Sequence, residues 1–92
     1  MKVTVRLAGF LAGVGARERR VTLPFNATVR AAVELSGLEI TDPHGKPGTP
    51  RSREHPALLI LLNGRNIEFL KGLDTPLVAG DVVSIFPASD GG

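Results

Sequence analysis

The sequence predicts an α+β fold, a sheet with one helix laid against one of its faces. Three observations predict it. Apolar residues recur at every second position near the start, a single helical stripe follows Thr28, and strand-length apolar runs with a hairpin signal fill the last third. Val3, Val5 and Leu7 alternate with Lys2, Thr4 and Arg6, the period of a strand with one buried face. Val21, Leu23 and Phe25 share one parity in residues 20–25 and predict a second strand, most simply joined to the first as a hairpin. Gly13 and Gly15 lie between the two. They fit neither GxGxxG nor GxxxxGK, and no helix pattern follows directly, so they read as turn residues rather than a phosphate loop.

Thr28 is a good N-cap, and Val29, Ala32, Val33 and Ser36 after it mark one face of a short helix. Gly37 supplies the left-handed stop. Residues 41–56 carry Pro43, Pro47, Pro50 and Pro56 with Gly45 and Gly48, which is loop composition. His44 and His55 lie there near Asp42 and Glu54, but a metal site also needs rigid placement and outer hydrogen bonds, so solvated histidines are the expectation. Lys46, Arg51 and Arg53 read as a wet basic loop.

Leu58-Leu59-Ile60-Leu61-Leu62 is a continuous apolar strand, and Asn63-Gly64 is the strongest short hairpin signal, since both residues tolerate positive φ. Residues 65–69 are expected to return as a short strand. Residues 72–77 read as irregular structure or a single turn, and residues 82–86 as the final strand. One helix covers only one sheet face, so strands apolar on both faces need explaining. Turning Ile60, Leu62, Val83 and Ile85 inward leaves Leu59, Leu61, Val82 and Phe86 outside. An exposed apolar patch of that kind marks an interface, unless the loop at 41–56 folds over it.

Ninety-two residues make a single small domain, spanning 1–92, in which a deep internal active site is not expected. The chain has no cysteine, which excludes disulfides, thiolate metal sites and a cysteine nucleophile and fits a cytoplasmic protein. No apolar stretch has signal-peptide or membrane-span length, so no membrane role is expected. A net charge of +2, with four Phe and no Tyr or Trp, offers neither a dense positive field nor a stacking surface, and no nucleic-acid partner is expected.

The sequence ends in Gly91-Gly92 behind the last strand, with Pro87-Ala88-Ser89-Asp90 between. Two residues without Cβ let a terminal carboxylate enter a narrow cleft and meet a nucleophile unobstructed. That suits a chain whose own carboxylate is a substrate.

Leu62-Asn63-Gly64, Gly72-Leu73-Asp74-Thr75-Pro76-Leu77, Gly80-Asp81-Val82-Val83-Ser84-Ile85-Phe86-Pro87 and Gly91-Gly92, in that order and spacing, resemble the MoaD/ThiS family of ubiquitin-like sulfur carriers. The resemblance covers essentially the whole chain. It implies the β-grasp fold, a mixed sheet of four or five strands around one main helix with the first and last strands side by side, followed by a flexible tail at 88–92. It also implies that the chain is a carrier rather than an enzyme, with no cofactor of its own. A MoeB/ThiF-like activating enzyme would use ATP and magnesium to adenylate the carboxyl of Gly92, which then accepts sulfur as a thiocarboxylate. Gly91 and Asp90 would form the tail, and Phe86, Leu59, Leu61 and Pro87 would dock the activating enzyme and the sulfur acceptor.

The last-strand pattern looks most like the MoaD branch, whose acceptor is a MoaE-like large subunit in molybdopterin synthesis. Cysteine, thiamine and tRNA thiolation are the alternatives within the family. Conjugation to substrate lysines as a protein modifier is a second class, and a non-covalent module binding RNA or protein through the basic loop a third. Relatives often carry a small apolar residue where this chain has Asp90, and Pro-Pro where it has only Pro87, which leaves the acceptor open.

Overall fold

The computed structural model describes residues 1–7, 17–37 and 58–87. These residues form a five-stranded mixed sheet of order β2-β1-β5-β3-β4. The strands are β1 (Lys2–Leu7), β2 (Arg17–Thr22), β3 (Leu58–Leu62), β4 (Arg65–Asn66) and β5 (Val82–Pro87), and the helix α1 is Val29–Leu35. β1 pairs with β2 antiparallel and with β5 parallel, and β3 joins β5 and β4 antiparallel. This is the β-grasp arrangement that the resemblance implies, with first and last strands adjacent at the centre. Among the described residues no helix is long and apolar enough to cross a membrane.

Alternation decides what the sheet buries. Val3, Val5 and Leu7 of β1, Leu58, Ile60 and Leu62 of β3, and Val83 and Ile85 of β5 all face the core. Registers Val5↔Val83 and Ile60↔Ile85 stack these side chains into continuous rows across the strands. Val29, Ala32 and Val33 of α1 close over them, as the helical periodicity predicts. A helix of seven residues is marginal alone, so this packing holds it.

Thr28 occupies the N-cap position in extended conformation, yet its hydroxyl makes no capping bond. The Val29 N–H instead donates to the Thr75 carbonyl at 3.0 Å, because residue 28 forms an antiparallel bridge with Pro76. The helix therefore starts where a neighbouring segment accepts its first free donor. Gly37, at φ +100°, ends it as expected.

Two strand boundaries differ from the sequence reading. β2 runs from Arg17 to Thr22 rather than through residues 20–25, because β1 supplies partners from Leu7 back to Lys2. Beyond that only Met1 remains, exchanging two bonds with Leu23. Pro24 then accepts the Ala27 N–H in a turn, which carries Phe25 out of the expected inward parity to 88% exposure. After Asn63-Gly64, both at positive φ as a two-residue hairpin turn requires, the returning strand stops at Asn66 rather than reaching residue 69. The Asn66 side chain accepts the Glu68 N–H at 2.9 Å and folds Ile67–Phe69 into a 3-10 turn. That sends Ile67 into the core and leaves Phe69 at the surface. A second 3-10 turn, Gly72–Asp74, follows, where irregular structure or a single turn was expected.

The start of β5 is tied to the β3–β4 hairpin by one carboxylate. Asp81, 8% exposed, accepts from Asn63 Nδ2 at 2.9 Å through Oδ1 and from the Val78 N–H at 2.8 Å through Oδ2. Asn63 Oδ1 accepts the Val82 N–H at 2.9 Å, and the Asn63 N–H donates to the Val82 carbonyl. Among the described residues no buried side-chain nitrogen or oxygen lacks a partner.

Truncating Ile85→Ala removes a fully buried side chain between α1 and the sheet and is expected to cost about 2–5 kcal/mol in a urea titration. Asp81→Ala, which strands the Val78 and Asn63 donors, is expected to cost about 1.5–3 kcal/mol by the same measurement.

Candidate functional site

The face of the sheet turned away from α1 carries the residues that the sequence reading places outside. Leu59 lies directly across from Phe86 in the antiparallel β3–β5 pair, and Leu61 lies across from Ser84. Leu59, Leu61 and Val82 are half-buried and Phe86 is 39% exposed, so the four remain apolar surface while their strand neighbours Ile60, Val83 and Ile85 are sealed. The stripe is a product of period two. A one-residue slip of either strand would bury it and expose the core instead.

Pro87, the last residue of β5, is in register with Leu58, so the described chain leaves the sheet one residue beyond the Leu59–Phe86 pair. Asp90, Gly91 and Gly92 lie outside the described residues, as do Ala88 and Ser89. So do His44, His55, Asp42 and Glu54, the basic residues Lys46, Arg51 and Arg53, and the loop that was the alternative cover for this face. Among the described residues no cluster of three metal-ligating side chains occurs.

A polar margin on the same face is legible only with the topology. The parallel registers Thr4↔Val82 and Arg6↔Ser84 set β1 beside the stripe, and β2 beyond it pairs Arg20 with Thr4 and Glu18 with Arg6. The outward parity of β1 and β2 therefore presents Lys2, Arg6 and Arg20 against the single acid Glu18. Arg6 Nε reaches Glu18 Oε1 at 3.4 Å. Both side chains are largely exposed, so the pair contributes at most about 1 kcal/mol. An apolar stripe with a cationic border is complementary to a partner surface with an apolar ridge and acidic flank.

The sequence model of the ThiS family matches residues 5–92, nearly the whole chain. The chain belongs to the ThiS family. The fold is ubiquitin-like, and the match to the curated relative spans less than half of that protein's length. A protein named as a candidate sulfur carrier from Archaeoglobus fulgidus is 46% identical over 37 residues, 40% of this chain and 42% of that curated relative's length. Among solved structures, SAMP1 from Haloferax volcanii superposes with a TM-score of 0.67 at 24% identity, each chain covered completely, a likeness that shows the fold. A protein titled as a candidate molybdopterin converting factor, subunit 1, from Pyrococcus furiosus has a TM-score of 0.61 at 30% identity. The match covers 97% of this chain and 99% of that one.

Phe86 lies on the sheet face opposite the core and is 39% exposed. Phe86→Ala is expected to keep a cooperative unfolding transition with its midpoint shifted by no more than about 1 kcal/mol in stability, as for a surface substitution. A loss of 3 kcal/mol or thereabouts, in the range of a core Phe→Ala change, would place the ring in the core instead.

Proposed function

We propose that the carboxylate of Gly92 is the group this carrier has activated and hands on. A MoeB/ThiF-like enzyme, using ATP and magnesium, lets a carboxylate oxygen attack the α-phosphorus, with pyrophosphate leaving. The product is an acyl-adenylate on Gly92. Hydrosulfide then attacks the carbonyl carbon, the C–O bond to AMP breaks and AMP departs, and loss of the sulfur-bound proton leaves a thiocarboxylate. A free carboxylate is ionised near neutrality and is a poor electrophile, which is why adenylation must come first. The partner supplies nucleotide binding and stabilises the developing charge, while this chain supplies reach and placement.

The observation that carries the reading is the seating of the Leu59–Phe86 pair at the exit of β5. Five residues follow Pro87, and fully extended they span at most roughly 18 Å. A partner docked on Phe86, Leu59, Leu61 and Pro87 would thus hold its active site within that radius of the tail formed by Asp90, Gly91 and Gly92. The likeness to the Pyrococcus furiosus protein supports the MoaD branch, with a MoaE-like acceptor using the sulfur in molybdopterin assembly. The protein acts in the cytoplasm, where such a partner and ATP are both at hand.

Intact-mass spectrometry after incubation with an active MoeB/ThiF-like enzyme, ATP, magnesium and a sulfur source is expected to show oxygen replaced by sulfur at Gly92. Phe86→Ala is expected to lower adenylation by about tenfold or more, the loss of a central apolar anchor. Deleting Gly92 is expected to abolish it. Lysine-linked adducts through Gly92, in place of the thiocarboxylate, would make the chain a protein modifier. Indifference to the deletion would overturn the proposal.

A further inference from the structure

Asn63 combines a chemical liability with a structural restraint. Its successor is Gly64, whose backbone nitrogen has no neighbouring Cβ to obstruct attack on the preceding carboxamide, and both residues are exposed to water. The carboxamide itself is fastened at both ends, Nδ2 to the Asp81 carboxylate and Oδ1 to the Val82 N–H, each at 2.9 Å. The main chain is held too, with the Asn63 N–H on the Val82 carbonyl at 2.8 Å and φ at +51°.

We propose that Asn63 is a site of spontaneous deamidation that the fold keeps closed, and that its conversion releases the start of β5. The Gly64 nitrogen loses its proton to water or hydroxide and bonds to Asn63 Cγ. The Cγ–Nδ2 bond breaks, and the nitrogen leaves as ammonia after taking protons from solvent. Water then opens the cyclic imide at one of its two carbonyls, giving aspartate or isoaspartate at position 63. No oxidant or reductant is involved. Ring closure needs Cγ to swing onto Gly64, which the two side-chain hydrogen bonds oppose, so the rate follows the opening of this local structure.

Each product is incompatible with the native contacts. Aspartate sets a carboxylate against that of Asp81, where an N–H donor had been. Isoaspartate inserts a methylene into the main chain of a two-residue turn whose register, Leu62↔Arg65, depends on its length. Both untie the contact that joins the hairpin to the strand carrying Val83, Ile85 and Phe86.

Tryptic mapping tests this, because Asn63 is the single asparagine of the peptide 54–65, apart from Asn66 and from the Asp90-Gly91 sequence of the tail. Folded protein held at mildly alkaline pH is expected to convert Asn63 slowly while Asn26 and Asn66, followed by Ala27 and Ile67, persist. In urea the rate at Asn63 is expected to rise by at least about tenfold, the factor that two lost hydrogen bonds allow. Equal rates folded and unfolded, or no conversion in urea, would overturn the proposal. The variant Asn63→Asp separates chemistry from consequence. A lowered urea midpoint, or failure to fold at all, bears out the release of β5, and a midpoint equal to the parent's overturns it.

Discussion

The parallel pairing of β1 with β5 is the constraint on which the rest of the structure depends. Two parallel neighbours cannot be joined by a tight turn, so everything between Leu7 and Val82 serves as their connection. β2 lies outside β1, and β3 with β4 lies outside β5, which leaves the two central strands to carry the rows that α1 covers. The hydrogen bonds at the foot of β5 fit this arrangement. Thr4 donates to the Asp81 carbonyl and Gly80 to the Lys2 carbonyl, so the strand is fixed at its entry before the ladder begins.

One consequence is a division of labour by residue parity. On β5, Val83 and Ile85 hold the fold, while Val82 and Phe86 lie on the opposite side. The same alternation on β3 separates Ile60 and Leu62 from Leu59 and Leu61. A docking surface made this way changes independently of the core, because no side chain belongs to both. The cationic border from β1 and β2 extends it with residues that also keep an edge strand soluble, since β2 is the sheet's outer strand on that side.

Most of this was legible in the chain itself. Period two assigned the inward and outward residues of β1, the parity supposed inward for β3 and β5 is the buried one, Asn63-Gly64 placed the hairpin, and Gly37 placed the helix end. What local pattern missed was settled by partners far along the chain. Phe25 shares the parity of Val21 and Leu23, but the ladder of β2 is exhausted at Met1 and Pro24 turns the chain aside. Residues 65–69 look like a strand until the Asn66 side chain takes the Glu68 N–H. The bridging role of Asp81 has no local signal at all, since its partner Asn63 is 18 residues away. Of the candidate site, Phe86, Leu59 and Leu61 come together as expected, and the border formed by Lys2, Arg6 and Arg20 needed the sheet order before it could be seen.

Adjacency of the first and last strands also sets when the protein can become itself. During synthesis β1 and β2 can zip together early, but the two middle strands meet only after some eighty residues have emerged. Loop closure over that separation is slow, and until it happens Val5 and Leu7 lack one neighbour and Ile60 has no row to join. Apolar strands are then open to stray pairing with other nascent chains. A ribosome stalled before Ile85 would hold an aggregation hazard rather than a smaller working domain.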